Sequence, residues 1–189
     1  METPANKPGD ASPFGPDAIW APWRLPYLES LGESENTPAA KAPKPPSPDF
    51  LADYWADPSH DAANHVVLRT GDGMILLNKY PYANGHLLVA LGEARPSLLD
   101  YDARQRAALW ALVDRAAALV QRVLEPQGVN IGVNQGRAAG AGVPCHLHVH
   151  LVPRWSGDTN FMSVVGGVRV MPASLDAMYE RYAAAADGC

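Results

Sequence analysis

The feature that most constrains this chain is the run Cys145-His146-Leu147-His148-Val149-His150-Leu151-Val152-Pro153, in which polar and apolar side chains alternate. Strict alternation is the pattern of a strand with two unlike faces. Side chains on one face of a strand recur about every 6.5–7 Å. His146, His148 and His150 are therefore expected on one face, and Leu147, Val149 and Leu151 on the other, packed on a helix. Cys145 has the parity of the apolar set and is read as a small core residue.

A strand with one apolar face needs neighbours and a covering layer, and the rest of the sequence supplies both. Short apolar runs at 66–69 and 74–78 flank Thr70-Gly71-Asp72-Gly73, a hairpin signal. Residues 86–91 form a third strand and 129–133 a fourth. The histidine strand, 146–153, is the fifth. Between the third and fourth lies a long helix. Its face carries Leu109, Leu112, Val113, Ala116, Val120, Val123 and Leu124, and Pro126 and Gly128 stop it. Ser97 with Asp100 resembles a capping box at its start. Residues 174–186 read as a terminal helix. Three strands, a helix and two more strands make an α+β domain, an antiparallel sheet packed with helices.

Ahead of this body, which runs from 49 to 189, the sequence changes character. Eleven of the 18 prolines fall in residues 1–48. Residues 1–18 are polar and proline-rich and read as a disordered tail; 32–48 read as a linker with polyproline II character. Residues 19–31 hold Trp20, Trp23 and Tyr27 and read as an aromatic docking segment, because so much apolar surface is costly to leave in water.

Composition narrows the function. With 15 basic and 20 acidic residues the formal charge is −5, which disfavours general nucleic-acid binding, since no basic surface exists to release counterions. The start has no apolar run suited to a signal peptide, and no stretch approaches the roughly 20 apolar residues of a membrane span. A soluble cytoplasmic protein is expected. The two cysteines, Cys145 and Cys189, form neither a disulfide framework nor a CxxC pair.

Three histidines on one strand face admit three readings. One is a polar face that happens to carry histidine. The second is a metal site, since His-x-His on a strand suits zinc. The third is nucleophilic attack on phosphorus, because a neutral imidazole is a competent nucleophile near pH 7. The flanking loop, residues 134–144, is rich in glycine and alanine, which lets backbone N–H groups approach an anion. No carboxylate lies between Asn130 and Arg154 to complete a hydrolytic metal centre. A phosphate cradle beside three histidines fits phosphoryl or nucleotidyl transfer better.

At these residues the chain resembles the histidine-triad (HIT) superfamily, whose signature is His-φ-His-φ-His-φ-φ with φ apolar; residues 146–152 match it throughout. Residues 77–86, Leu-Asn-Lys-Tyr-Pro-Tyr-Ala-Asn-Gly-His, look like the family's nucleoside-binding strand and loop. The aromatic segment and the stretch 153–162 resemble the bacterial branch related to diadenosine tetraphosphate phosphorylases. The resemblance implies that His148 attacks the α-phosphorus and forms a nucleotidyl-histidine intermediate. It implies that His150 and His146 hold the phosphate, that His86 orients the triad and that Asn78 bonds the ribose. Asn134, Gly142 and Val143 would line the phosphate path. Arg154 and Asn160, which flank the triad, are candidates for a second anion site. Taken without the resemblance, His86 reads equally as a core histidine and Asn78 as a turn-former.

The sequence departs from that pattern twice. Where many relatives carry a CxxC pair for structural zinc, this chain has Ser47-Pro48-Asp49-Phe50. No structural zinc and no metal ligands are expected, His60 and His65 being read as surface residues. Where many hydrolase members place Ser or Thr before the triad, this chain has Val143. The difference leans toward the phosphorylase-like branch. The resemblance further implies a homodimer, a nucleotide or dinucleoside polyphosphate substrate, inorganic phosphate as a second substrate, and no cofactor beyond Mg2+ carried by the substrate's phosphates. The rival readings are a hydrolase of dinucleoside polyphosphates or nucleoside phosphoramidates, a nucleotide-binding regulatory module and a metalloprotein.

Overall fold

A computed structural model describes residues 48–158 and 171–186. The expected tail, docking segment and nearly all of the linker lie outside the described residues, as does Asn160. Five strands, β1 (Val66–Arg69), β2 (Gly73–Leu77), β3 (Leu87–Leu91), β4 (Gly128–Val133) and β5 (His148–Arg154), form one sheet in the order β1-β2-β3-β5-β4. Every neighbouring pair is antiparallel. Among the described residues three α-helices, α1 (Phe50–Ala56), α2 (Ala103–Leu124) and α3 (Leu175–Ala186), complete the α+β architecture.

Alternation along the strands sorts the core into two. Ile75, Leu77, Leu87, Val89, Leu147, Val149 and Leu151 point to one face and are buried with Leu109, Leu112, Val113, Ala116 and Val120 of α2 and Met178 and Tyr182 of α3. The opposite face of β1–β3 carries Val66, Met74, Leu76, Leu88 and Ala90, which cluster with Leu51 of α1. Both faces of the central strands are thus covered, and β2 and β3 read as continuous apolar runs, as strands buried on two sides do.

Two details differ from the sequence expectations. The long helix begins at Ala103, not near Ser97. Ser97 caps only a short 3-10 turn, Leu98–Asp100. The helix is capped by Asp102, whose side chain accepts from Gln105 N while the Gln105 side chain accepts from the Asp102 backbone. That reciprocal pair satisfies two otherwise unpaired donors, and Ser97 lies too far upstream to reach them. Cys145 is exposed rather than buried. Strand β5 begins at His148, so its parity does not extend back to Cys145, which sits in the turn before it.

Helix α1 was not expected. Only Leu51 among its seven residues is buried, so it leaves no periodic trace in the sequence. Asp49 caps it, Oδ1 accepting from Ala52 N at 3.0 Å. Gly85, in the loop between β2 and β3, has φ +75°, and a Cβ there would lie 2.4 Å from Leu124 of α2 and 2.9 Å from the Tyr182 hydroxyl of α3. The same hydroxyl donates to the Gly85 carbonyl at 2.9 Å. This loop is therefore pinned against both helices.

Candidate active site

Register places the histidines. On β5, His148 stands opposite Ala90 and His150 opposite Leu88 of β3, while Gly132 of β4 faces His150 from the other side. A Cβ at Gly132 would meet nothing within 4 Å, so the face beside His150 is open. The rings of His148 and His150 lie 5.0 Å apart, and those of His150 and His86 5.2 Å apart. Asn134 is one residue beyond the last β4–β5 pair, Val133 with Val149, on the side of His148.

The hydrogen bonds fix the tautomers. His148 Nδ1 lies 2.9 Å from the His146 carbonyl, which only accepts, so Nδ1 carries the proton. Nε2 is left with its lone pair. His148 is only 4% exposed. Burial, the largest influence, holds its pKa below the ordinary histidine value, partly offset by the bond to the His146 carbonyl. A buried, neutral imidazole with an unprotonated Nε2 is a nucleophile in its working form.

The second string runs through His86. The Tyr82 backbone N–H donates to His86 Nδ1 at 3.1 Å, and the Asn78 amide nitrogen lies 3.3 Å from the same atom. Two donors on Nδ1 leave the proton on Nε2, which points at His150 Nδ1 at 3.0 Å. His150 therefore accepts at Nδ1 and carries its proton on Nε2. Asn78 also receives the Tyr80 N–H on Oδ1 at 2.9 Å, so both ends of its amide are held by the loop. The Tyr82 ring stacks on His150, centroids 5.8 Å apart and planes at 15°.

His146 behaves differently from its two companions. It precedes β5, is completely buried, and its Nε2 donates to the Leu91 carbonyl at 2.7 Å. Its Nδ1 faces both Asp49 oxygens, at 3.0 and 3.2 Å. The glycine-rich loop leads into this residue. Gly136 and Gly140 take positive φ, Ala141 N donates to the Gly136 carbonyl, and His146 N donates to the carbonyl of the buried Val143, with Gly142 beside it.

Hydrogen bonds thus join His146 to His148, and Asn78 through His86 to His150, while the rings of His148 and His150 meet, with Asn134, Gly142 and Val143 on adjacent backbone. Arg154 is not brought in. It lies six residues along β5 from His148, about 20 Å, and its guanidinium is held by Asp158 at 2.6 and 2.8 Å and by Asn130 at 3.0 Å. Sequence reasoning missed Asp49 and Tyr82. Among the described residues no group of three or more His, Cys, Asp or Glu side chains could hold a metal ion. His60 is exposed beside Asp57, and His65 meets Asp176.

A sheet of this order, carrying three histidines on one segment and a fourth across from it, defines a class. The family model described as "HIT domain" matches residues 59–157, and the chain belongs to that family. The chain is 34% identical over 157 residues to a Mycobacterium tuberculosis protein named AP-4-A phosphorylase, covering 83% of this chain and 77% of that one. It is 33% identical over 95 residues to the asymmetrical bis(5'-nucleosyl)-tetraphosphatase of Schizosaccharomyces pombe, covering 50% of this chain and 52% of that enzyme. Among solved structures, a Zn-bound histidine triad family protein from Mycobacterium smegmatis matches with a TM-score of 0.59 at 27% identity, covering 74% of this chain and 96% of that one. In this chain both nitrogens of His146 are engaged, by Asp49 and by the Leu91 carbonyl.

Proposed function

We propose that this protein transfers a nucleotidyl group from a dinucleoside polyphosphate to inorganic phosphate, with His148 as the covalent carrier. The observation that carries the reading is the His148 ring, buried, its Nδ1 proton held by the His146 carbonyl and its Nε2 lone pair uncommitted by that bond. In the first step Nε2 forms a bond to the α-phosphorus and the bond to the bridging oxygen breaks. The leaving nucleotide departs with that bond's electrons. His150, its Nε2 proton set by the His86 bond, is the neighbouring donor to phosphate oxygens. In the second step an incoming oxygen attacks the same phosphorus and His148 is regenerated.

The choice of second nucleophile decides between phosphorylase and hydrolase. From diadenosine tetraphosphate, both release ATP and leave AMP on His148. Phosphate then yields ADP, whereas water yields AMP. Two points favour phosphate: the relative named as a phosphorylase aligns over most of both chains, and Val143 stands at the position where, by the family resemblance, many hydrolase members carry Ser or Thr. Orienting the second nucleophile can remove several kcal/mol from its barrier. No zinc enters this scheme, and Mg2+ would accompany the substrate alone. The test is product analysis on diadenosine tetraphosphate at millimolar phosphate. Equal ATP and ADP are expected. ATP with AMP alone would replace the phosphorylase by the hydrolase.

A further inference from the structure

Asp49 sits 97 residues from His146 in sequence yet meets it with both oxygens. It is also the cap of α1, its Oδ1 accepting from Ala52 N. The opposite nitrogen of the same imidazole is held by the Leu91 carbonyl at the end of β3. The His146 ring is thus clamped at both ends, between α1 and the sheet. The residue so clamped supplies the carbonyl that binds His148 Nδ1 at 2.9 Å.

We propose that Asp49 is a positioning residue for the transfer: by clamping His146 against Leu91, it holds the carbonyl that sets the His148 tautomer and aims Nε2. The proposal rests on the His148 mechanism above. Asp49 is bonded to His146 and acts on the His148 tautomer through it. Moving that carbonyl would let the Nδ1 proton shift to Nε2, and a protonated Nε2 cannot attack. A residue that fixes a catalytic imidazole's tautomer matters to rate far more than to binding. Burial is the main force on the His148 pKa, lowering it; the bond to the His146 carbonyl acts in the opposite sense, so the carbonyl that Asp49 holds in place also favours the cationic ring that attack on phosphorus creates.

The test compares single-turnover labelling of His148 in the wild-type protein and in Asp49→Asn, which keeps an oxygen for the α1 cap and removes the charge. The expected result is a labelling rate lower by about 10- to 100-fold, with substrate affinity within a few-fold. Imidazole 15N shifts should show His148 losing its single tautomer, a change that mere loss of packing would not produce. Asp49→Asn combined with His146→Asn should be no slower than the worse single variant. Wild-type labelling rates in folded Asp49→Asn, or additive effects in the double variant, would overturn the proposal. If Asp49→Asn does not fold, Asp49→Glu carries the comparison: slower labelling at unchanged affinity supports the role, and an unchanged rate removes it. Absence of any label on wild-type His148 would instead take down the underlying mechanism, and this proposal with it.

Discussion

At the scale of single residues, the environment of His148 makes a statement about pH. Burial lowers its pKa from the ordinary 6.5. Protonation would consume the Nε2 lone pair, so activity is lost as pH falls through the depressed value and is retained above it. We therefore expect the acidic limb of kcat/KM to lie below pH 6.5, with the rate flat from there to neutrality. A limb centred above 6.5 would contradict the burial argument. His148→Ala should remove the trapped nucleotidyl-enzyme and lower turnover by roughly 10^4-fold or more, with binding changed only a few-fold; normal turnover would refute the nucleophile. The histidines themselves were legible because period-two spacing is a local property. Asp49 was not. Nothing near an Asp-Phe pair signals a partner 97 residues away, and only the closing of the sheet reveals it.

At the scale of elements, two caps compete on paper for the same helix, Ser97 with Asp100 and Asp102 with Gln105. The structure gives the helix to Asp102, the sequence reading to Ser97. Replacing Asp102 by Ala should cost about 0.5–2 kcal/mol in a denaturant melt, whereas Ser97→Ala should change stability by less than about 0.5 kcal/mol. The reverse order would return the cap to Ser97. The strands were readable because β1 to β3 and β5 are apolar or alternating runs bounded by turn residues. Helix α1 was not readable, because seven residues with one buried side chain carry no pattern. Cys145 failed for a related reason: parity holds only inside a strand, and β5 starts three residues later.

At the scale of the whole molecule, β4 ends the sheet, and most of its residues are exposed, Ile131 by 46%. Among the described residues nothing pairs with its outer edge; such an edge is a pairing surface that proteins cover or charge, and β4 carries no charged residue. We propose that a second copy covers it, as the family resemblance implies. Sedimentation should then give a dimer that Ile131→Lys weakens; a monomeric wild type at micromolar concentration would rule the assembly out. No described helix is long and apolar enough to cross a membrane. The pinned loop of Gly85 bears on how such a protein can change over generations. A side chain at position 85 would strike Leu124 and Tyr182, which belong to the buried layer behind the sheet. Change at position 85 is therefore epistatic with the core. The exposed positions 79 and 80 can drift singly, but a new residue at 85 becomes accessible only after 124 and 182 have both made room. The shape of the loop is inherited together with the two helices behind it.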